Sequence, residues 1–75
     1  MKLFDLRKEL KNEFASLDIE KEDVDFIISE TLNVKRTDLV LIEEISDAQE
    51  KEIRKYCELR KNNIPVDKIF QKSYL

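Results

Sequence analysis

The sequence predicts an all-α protein: a small bundle of four main helices plus a short C-terminal helical turn. Three observations carry that reading. The 75 residues contain no glycine and one proline, whereas the tight hairpins of a sheet protein draw on glycine at positive φ. Apolar residues recur at intervals of three and four, the period of one helix face. The stretch Ser46–Ile69 spells a helix start, a body and a stop in order.

The first helix is predicted from Lys2 to Ser16. Leu3, Leu6, Leu10, Phe14 and Leu17 form one apolar stripe with Lys and Glu between them, the pattern of a core-facing helix. Phe4 lies beside the stripe and widens it. The polar face is mixed in sign, whereas a membrane-surface helix is usually basic. Asp18–Lys21 is a polar connection in which Ile19 plugs the end of the core. A second helix covers Glu22–Leu32, with Val24, Ile27, Ile28, Thr31 and Leu32 on one face. Phe26 falls off that face and meets a different neighbour or water. Asn33 suits a left-handed helix stop.

A short third helix is expected over Arg36–Ile42, with Val34, Leu39 and Ile42 inward. The run Leu39-Val40-Leu41-Ile42 also has strand propensity, but the chain offers it no partner strand, and an isolated strand is not stable. Glu43-Glu44-Ile45 leads into the long helix. There Ser46 and Gln49 have the spacing of a capping box. Asp47 and Glu50 fall in the first turn and Arg60 and Lys61 in the last, as the helix dipole favours. Ile53, Tyr56, Cys57 and Arg60 share a face. Asn63 suits the left-handed stop, and Pro65 cannot continue the helix. A short turn over Val66–Phe70 follows.

One domain is expected over residues 1–75. Hydrophobic and charged residues each make up 41% of the chain, enough for one small core. A core of this size rarely supplies more than about 3–5 kcal/mol of net stability, which argues against a deep substrate cavity. The start Met1-Lys2-Leu3-Phe4-Asp5 is too charged for a signal peptide, and no apolar run approaches the ~18 residues of a membrane span. With a single cysteine suited to a reducing compartment, a cytoplasmic protein is expected.

Charge is uneven. Residues 1–45 carry seven Lys/Arg and twelve Asp/Glu, and residues 46–75 seven and five, for an overall net of −3. That balance argues against nonspecific nucleic-acid binding, which needs a basic surface to displace counterions. On the helix surfaces Arg54 and Glu58 are spaced to attract, and Glu9 and Glu13 to repel.

The catalytic inventory is short. There is no histidine. Cys57 lies on the inward face of its helix, as a small buried hydrophobe would, while a reactive thiol needs an accessible electropositive site. Without glycine there is no phosphate-cradling loop or dinucleotide fingerprint. Asp23 and Asp25 point to different sides of their helix, and Glu20, Glu22 and Asp23 make a poor metal set. No catalytic, cofactor-binding or metal-binding residue is assigned. Ile28–Leu39 also has the loose form of a helix-turn-helix whose second helix would read a DNA groove. That helix offers Arg36, Thr37 and Asp38 but lacks the cations that grip phosphates.

Read as a whole, the chain resembles the N-terminal helical domain of the HemK/PrmC protein-(glutamine) N-methyltransferases. Asp23-Val24-Asp25-Phe26-Ile27-Ile28 stands where that family shows Asp-Ala-Glu-Leu-Leu-Leu. Thr31-Leu32-Asn33-Val34, then Lys35-Arg36 and Leu39, stands for Val-Leu-Gly-Leu, a Ser-Arg turn and a Leu. Ile45-Ser46 matches a Leu-Ser helix start. Arg60, Pro65, Ile69 and Phe70 follow the closing pattern of an Arg, two residues, Gly-Glu-Pro, two residues and Tyr-Ile-Leu-Gly. Asn33, Asn63 and Gln71 stand in place of family glycines, and Lys68 in place of the tyrosine.

The resemblance implies that the domain binds and positions a peptide-chain release factor, whose Gly-Gly-Gln loop is methylated on the glutamine amide. It implies S-adenosylmethionine as the methyl donor of a separate catalytic domain beyond Leu75, and no cofactor in this one. The expected partners are thus the release factor and the enzyme's own catalytic domain. Lys51, Arg54, Lys55 and Lys61, on the exposed side of the long helix, are the expected contact with an acidic partner. Their plain reading is a solvated surface. A free-standing protein-interaction bundle and a small DNA-binding regulator are the alternatives.

Overall fold

A computed structural model describes residues 1–70 of the chain. They form α1 (Leu3–Ser16), α2 (Glu22–Leu32), a 3₁₀ helix (Arg36–Leu41), α3 (Asp47–Lys61) and the single turn α4 (Val66–Ile69). No strand occurs among the described residues, so the all-α expectation holds. α2 is the hub, packing on α1, α3, α4 and the 3₁₀ helix, while α1 and α3 also touch.

The core is the set of apolar stripes turned toward one another. Leu3, Leu6, Leu10 and Phe14 of α1, Val24, Ile27 and Ile28 of α2, Leu39, Ile45, and Ile53 and Cys57 of α3 are all buried. Ile19, Leu32, Val34, Ile42, Tyr56, Val66 and Phe70 pack around them. Ser29 is also buried, and its hydroxyl donates to the Phe26 carbonyl at 2.9 Å. This local bond satisfies the group without a distant partner.

Three helices stop in the same way. The residues after α1, α2 and α3 include Asp18 (φ 61°), Asn33 (φ 58°) and Asn63 (φ 67°), each in the left-handed region. After each, an apolar residue donates its N–H five residues back: Ile19 to Phe14 at 2.9 Å, Val34 to Ser29 at 3.0 Å and Ile64 to Leu59 at 3.2 Å. These are Schellman closures. Glycine usually fills the left-handed place, but Asn and Asp tolerate it because their short polar side chains bond locally. The closure also explains a departure from the predicted stripe. Leu17 precedes the reversal and is 52% exposed, while Ile19 packs on the core after it.

The start of α3 is the capping box its sequence predicts. The Gln49 N–H donates to Ser46 Oγ at 3.2 Å, and the Ser46 N–H donates to Gln49 Oε1 at 2.9 Å. Such a cap contributes about 1 kcal/mol.

The expected third helix is a six-residue 3₁₀ helix, Arg36–Leu41, and ends one residue early. Three residues per turn bring one of every three inward. Leu39 is therefore buried while Val40 and Leu41 stand 75% and 76% exposed. Ile42 is extended (φ −94°, ψ 116°), and the chain then finds a pairing partner the sequence did not advertise. Leu3 N–H donates to the Glu43 carbonyl at 2.9 Å, and Ile45 N–H to the Met1 carbonyl at 3.0 Å. This single antiparallel bridge, centred on Lys2 and Glu44, fastens the N-terminus to the entry of α3.

Candidate functional site

Two polar seams and one open hollow make up the chemically notable surface. The first seam joins α1 and α3. Arg54 donates through Nε to Glu50 at 2.8 Å and through a terminal nitrogen to Glu9 at 2.7 Å. Lys61 pairs with Glu13 and lies 3.7 Å from Glu58. The expected Arg54–Glu58 pair does not form. Glu50, placed N-terminal to the arginine, has the better orientation, and Glu9 completes the fork from the next helix. Glu9 and Glu13, spaced to repel, each hold a separate cation instead. The hydrogen bond from Arg54 lowers the pKa of Glu9, and the hydrogen bond to Glu13 raises that of Lys61.

The second seam runs along both sides of α2. Asp25 reaches α1, with Arg7 at 2.9 Å and Lys11 at 3.1 Å. Asp23 reaches α3, where Arg60 Nε donates to its carboxylate at 2.8 Å. The two aspartates do point to different sides, as their spacing predicts, and Arg60 ties the end of α3 to the start of α2. Partial burial pushes the Asp25 carboxyl up, but hydrogen bonds from Arg7 and Lys11 outweigh it, and its pKa falls below the ordinary value. A folded-state pKa below the unfolded one means stabilisation that is present above the unfolded value and lost as pH falls through the folded one. Urea melts are therefore expected to show stability dropping below about pH 4, with a shallower drop in Asp25→Asn.

The hollow lies on the outer face of α1. Phe4, Arg7, Lys8, Lys11, Asn12 and the approaching Lys21 line it, around a space of roughly 320 Å³. Phe4 is 68% exposed, so it does not widen the core stripe as expected. Lys8 and Lys21 form no ion pair among the described residues. The available sequence signal for this group was an aromatic off the core stripe, with Lys8 and Lys11 four and seven residues on.

The four cations expected to meet a partner differ in their surroundings. Lys51 and Lys55 are exposed, with Lys55 Nζ 5.7 Å from the centre of the Tyr56 ring, while Arg54 and Lys61 turn into the α1–α3 seam. Tyr56 also meets Phe70 at 4.9 Å between ring centres, and Phe70 meets Phe26 edge-on at 6.0 Å. Phe26, which left the main face of α2, thus finds its neighbour at the end of α4. Cys57 is buried, and burial pushes its thiol up to about 12. Among the described residues, no three His, Cys, Asp or Glu side chains converge as metal ligands would. None of those residues forms a helix long and apolar enough to cross a membrane.

The family model described as the PrmC N-terminal domain matches residues 5–70. The chain belongs to that family. No curated protein and no solved structure was found to match. In this PrmC N-terminal domain the segments that carried the resemblance have structural roles. Asp23 and Asp25 anchor α2 to both neighbouring helices. Asn33 and Asn63, standing for glycines, hold the left-handed stops, and Arg60 holds α3 to α2. Gln71, the third glycine position, lies outside the described residues.

Proposed function

We propose that this PrmC N-terminal domain grips a peptide-chain release factor and presents it to the catalytic domain of a S-adenosylmethionine-dependent glutamine methyltransferase, without catalysing the transfer itself. The match over residues 5–70 carries the reading. The side chains support it: most of the buried or half-buried ionisable groups hold helices together, and Cys57 is packed as a core residue. Positioning is a sufficient role, because contacts remote from the reacting atoms orient them and lower the barrier.

The lining of the α1 hollow, four cations and no carboxylate, offers nothing to the cationic sulfonium of the methyl donor. Isothermal calorimetry of the 75-residue chain tests both halves of the reading. One-to-one binding of purified release factor is expected, with no heat of binding from S-adenosylmethionine. Silence toward the release factor sinks the grip, and stoichiometric binding of the methyl donor sinks the non-catalytic role.

A further inference from the structure

The geometry points to the α1 hollow as the seat of an acidic segment of the protein partner, carboxylates on Lys8 and Lys21 and an apolar side chain against Phe4. This rests on the reading that the domain grips a release factor and names the surface that does so.

Three features of the hollow support it. First, of its four cations Arg7 and Lys11 share Asp25, while Lys8 and Lys21 form no ion pair among the described residues, on a chain whose net charge is −3. In a protein this acidic, so local a positive field attracts and orients an anionic group. Second, the hollow is built rather than loose. Asp25 of α2 takes one side of Arg7 and Lys11 and so holds them toward α2 as one wall of the hollow, while Lys8 and Lys21 are exposed. A wall already held in place loses less freedom when a ligand arrives, and Lys8 and Lys21 have no ion pair to give up for it. Third, Phe4 stands 68% exposed beside them. Aromatic residues and arginine are enriched in protein interfaces, and charged residues such as lysine belong to the polar rim around them.

The chemistry of the occupant follows from the surroundings. Asp5, Glu20 and Glu22 are exposed near the hollow in sequence. A polynucleotide carries a continuous run of phosphates into such an acidic surround, whereas a peptide can confine its carboxylates to the hollow. A bilayer is flat and would meet a concave surface carrying one aromatic ring, whereas interfacial helices present a whole apolar face.

Fluorescence anisotropy with labelled release factor tests the assignment, using wild-type chain, Lys8→Glu/Lys21→Glu, Phe4→Ala and Lys51→Glu/Lys55→Glu. All altered side chains are exposed, and thermal melts verify that each variant folds. The expected result is a loss of about tenfold or more in affinity for Lys8→Glu/Lys21→Glu, with a weaker salt dependence. Phe4→Ala is expected to lose several-fold, and Lys51→Glu/Lys55→Glu less than about twofold. Unchanged binding by Lys8→Glu/Lys21→Glu, or a loss confined to Lys51→Glu/Lys55→Glu, overturns the hollow and leaves the grip standing. No binding by the wild-type chain overturns both. Binding of a single-stranded oligonucleotide or of phosphatidylserine vesicles that Lys8→Glu/Lys21→Glu abolishes, with release-factor binding intact, overturns the acidic-peptide assignment.

Discussion

Phe14→Ala is expected to leave the chain unfolded at room temperature. Phe14 has no exposed surface and sits among the largest buried side chains. Truncating a buried Phe to Ala costs about 3–5 kcal/mol, the lost transfer energy plus the cavity left behind. A domain of this size commands about that much in total. The far-ultraviolet circular dichroism of the variant should lack a cooperative urea transition. Leu17→Ala is the informative contrast. Both leucine and phenylalanine belong to one apolar stripe in the sequence, yet Leu17 is 52% exposed, and its truncation should cost within about 0.5 kcal/mol. Equal effects of the two substitutions would contradict the Asp18 reversal and the core drawn around it.

Cys57 supplies an independent gauge of the same stability. The thiol is 1% exposed, and its burial holds the protonated form far above the usual range, at about 12. Only a thiolate that meets solvent attacks a disulfide reagent. Modification of the native chain must therefore wait for opening. With about 3–5 kcal/mol of net stability and a factor of ten per 1.4 kcal/mol, the native rate should fall about 10²- to 4 × 10³-fold below that in urea. Phe14→Ala should react at the unfolded rate without denaturant. A native chain whose Cys57 reacts as fast as a free thiol would show that α3 does not pack as described.

What the sequence made legible was mostly what short-range chemistry decides. Ser46 and Gln49 announce the cap of α3 because both partners lie within one turn. Asn33 and Asn63 mark left-handed stops because few other residues tolerate that geometry. Asp18 does the same but gave a weaker signal, since an aspartate in a charged connection has many other reasons to be there. The sequence of Arg36–Leu41 predicts an ordinary short helix, and the structure makes it 3₁₀. Over six residues the two periods differ by too little to separate. Arg54 had acidic residues four positions away on either side and took Glu50, but its second partner is Glu9, 45 residues distant in the chain. No local pattern holds that information. The α1 hollow was missed for the same reason: Lys21 joins Phe4 and Lys8 only after the chain reverses at Asp18.

The antiparallel bridge between residues 1–3 and 43–45 also sets an order of events during synthesis. α1 emerges first, but its N-terminal fastening is encoded some forty residues later. Until then the helix has an apolar face and no complete surface to rest on, the condition in which nascent chains are exposed to aggregation. Its final docking is a long-range loop closure, slower than the helix formation that precedes it. Burst-phase measurements of refolding should thus find helix content restored before the N-terminal residues gain protection from hydrogen exchange.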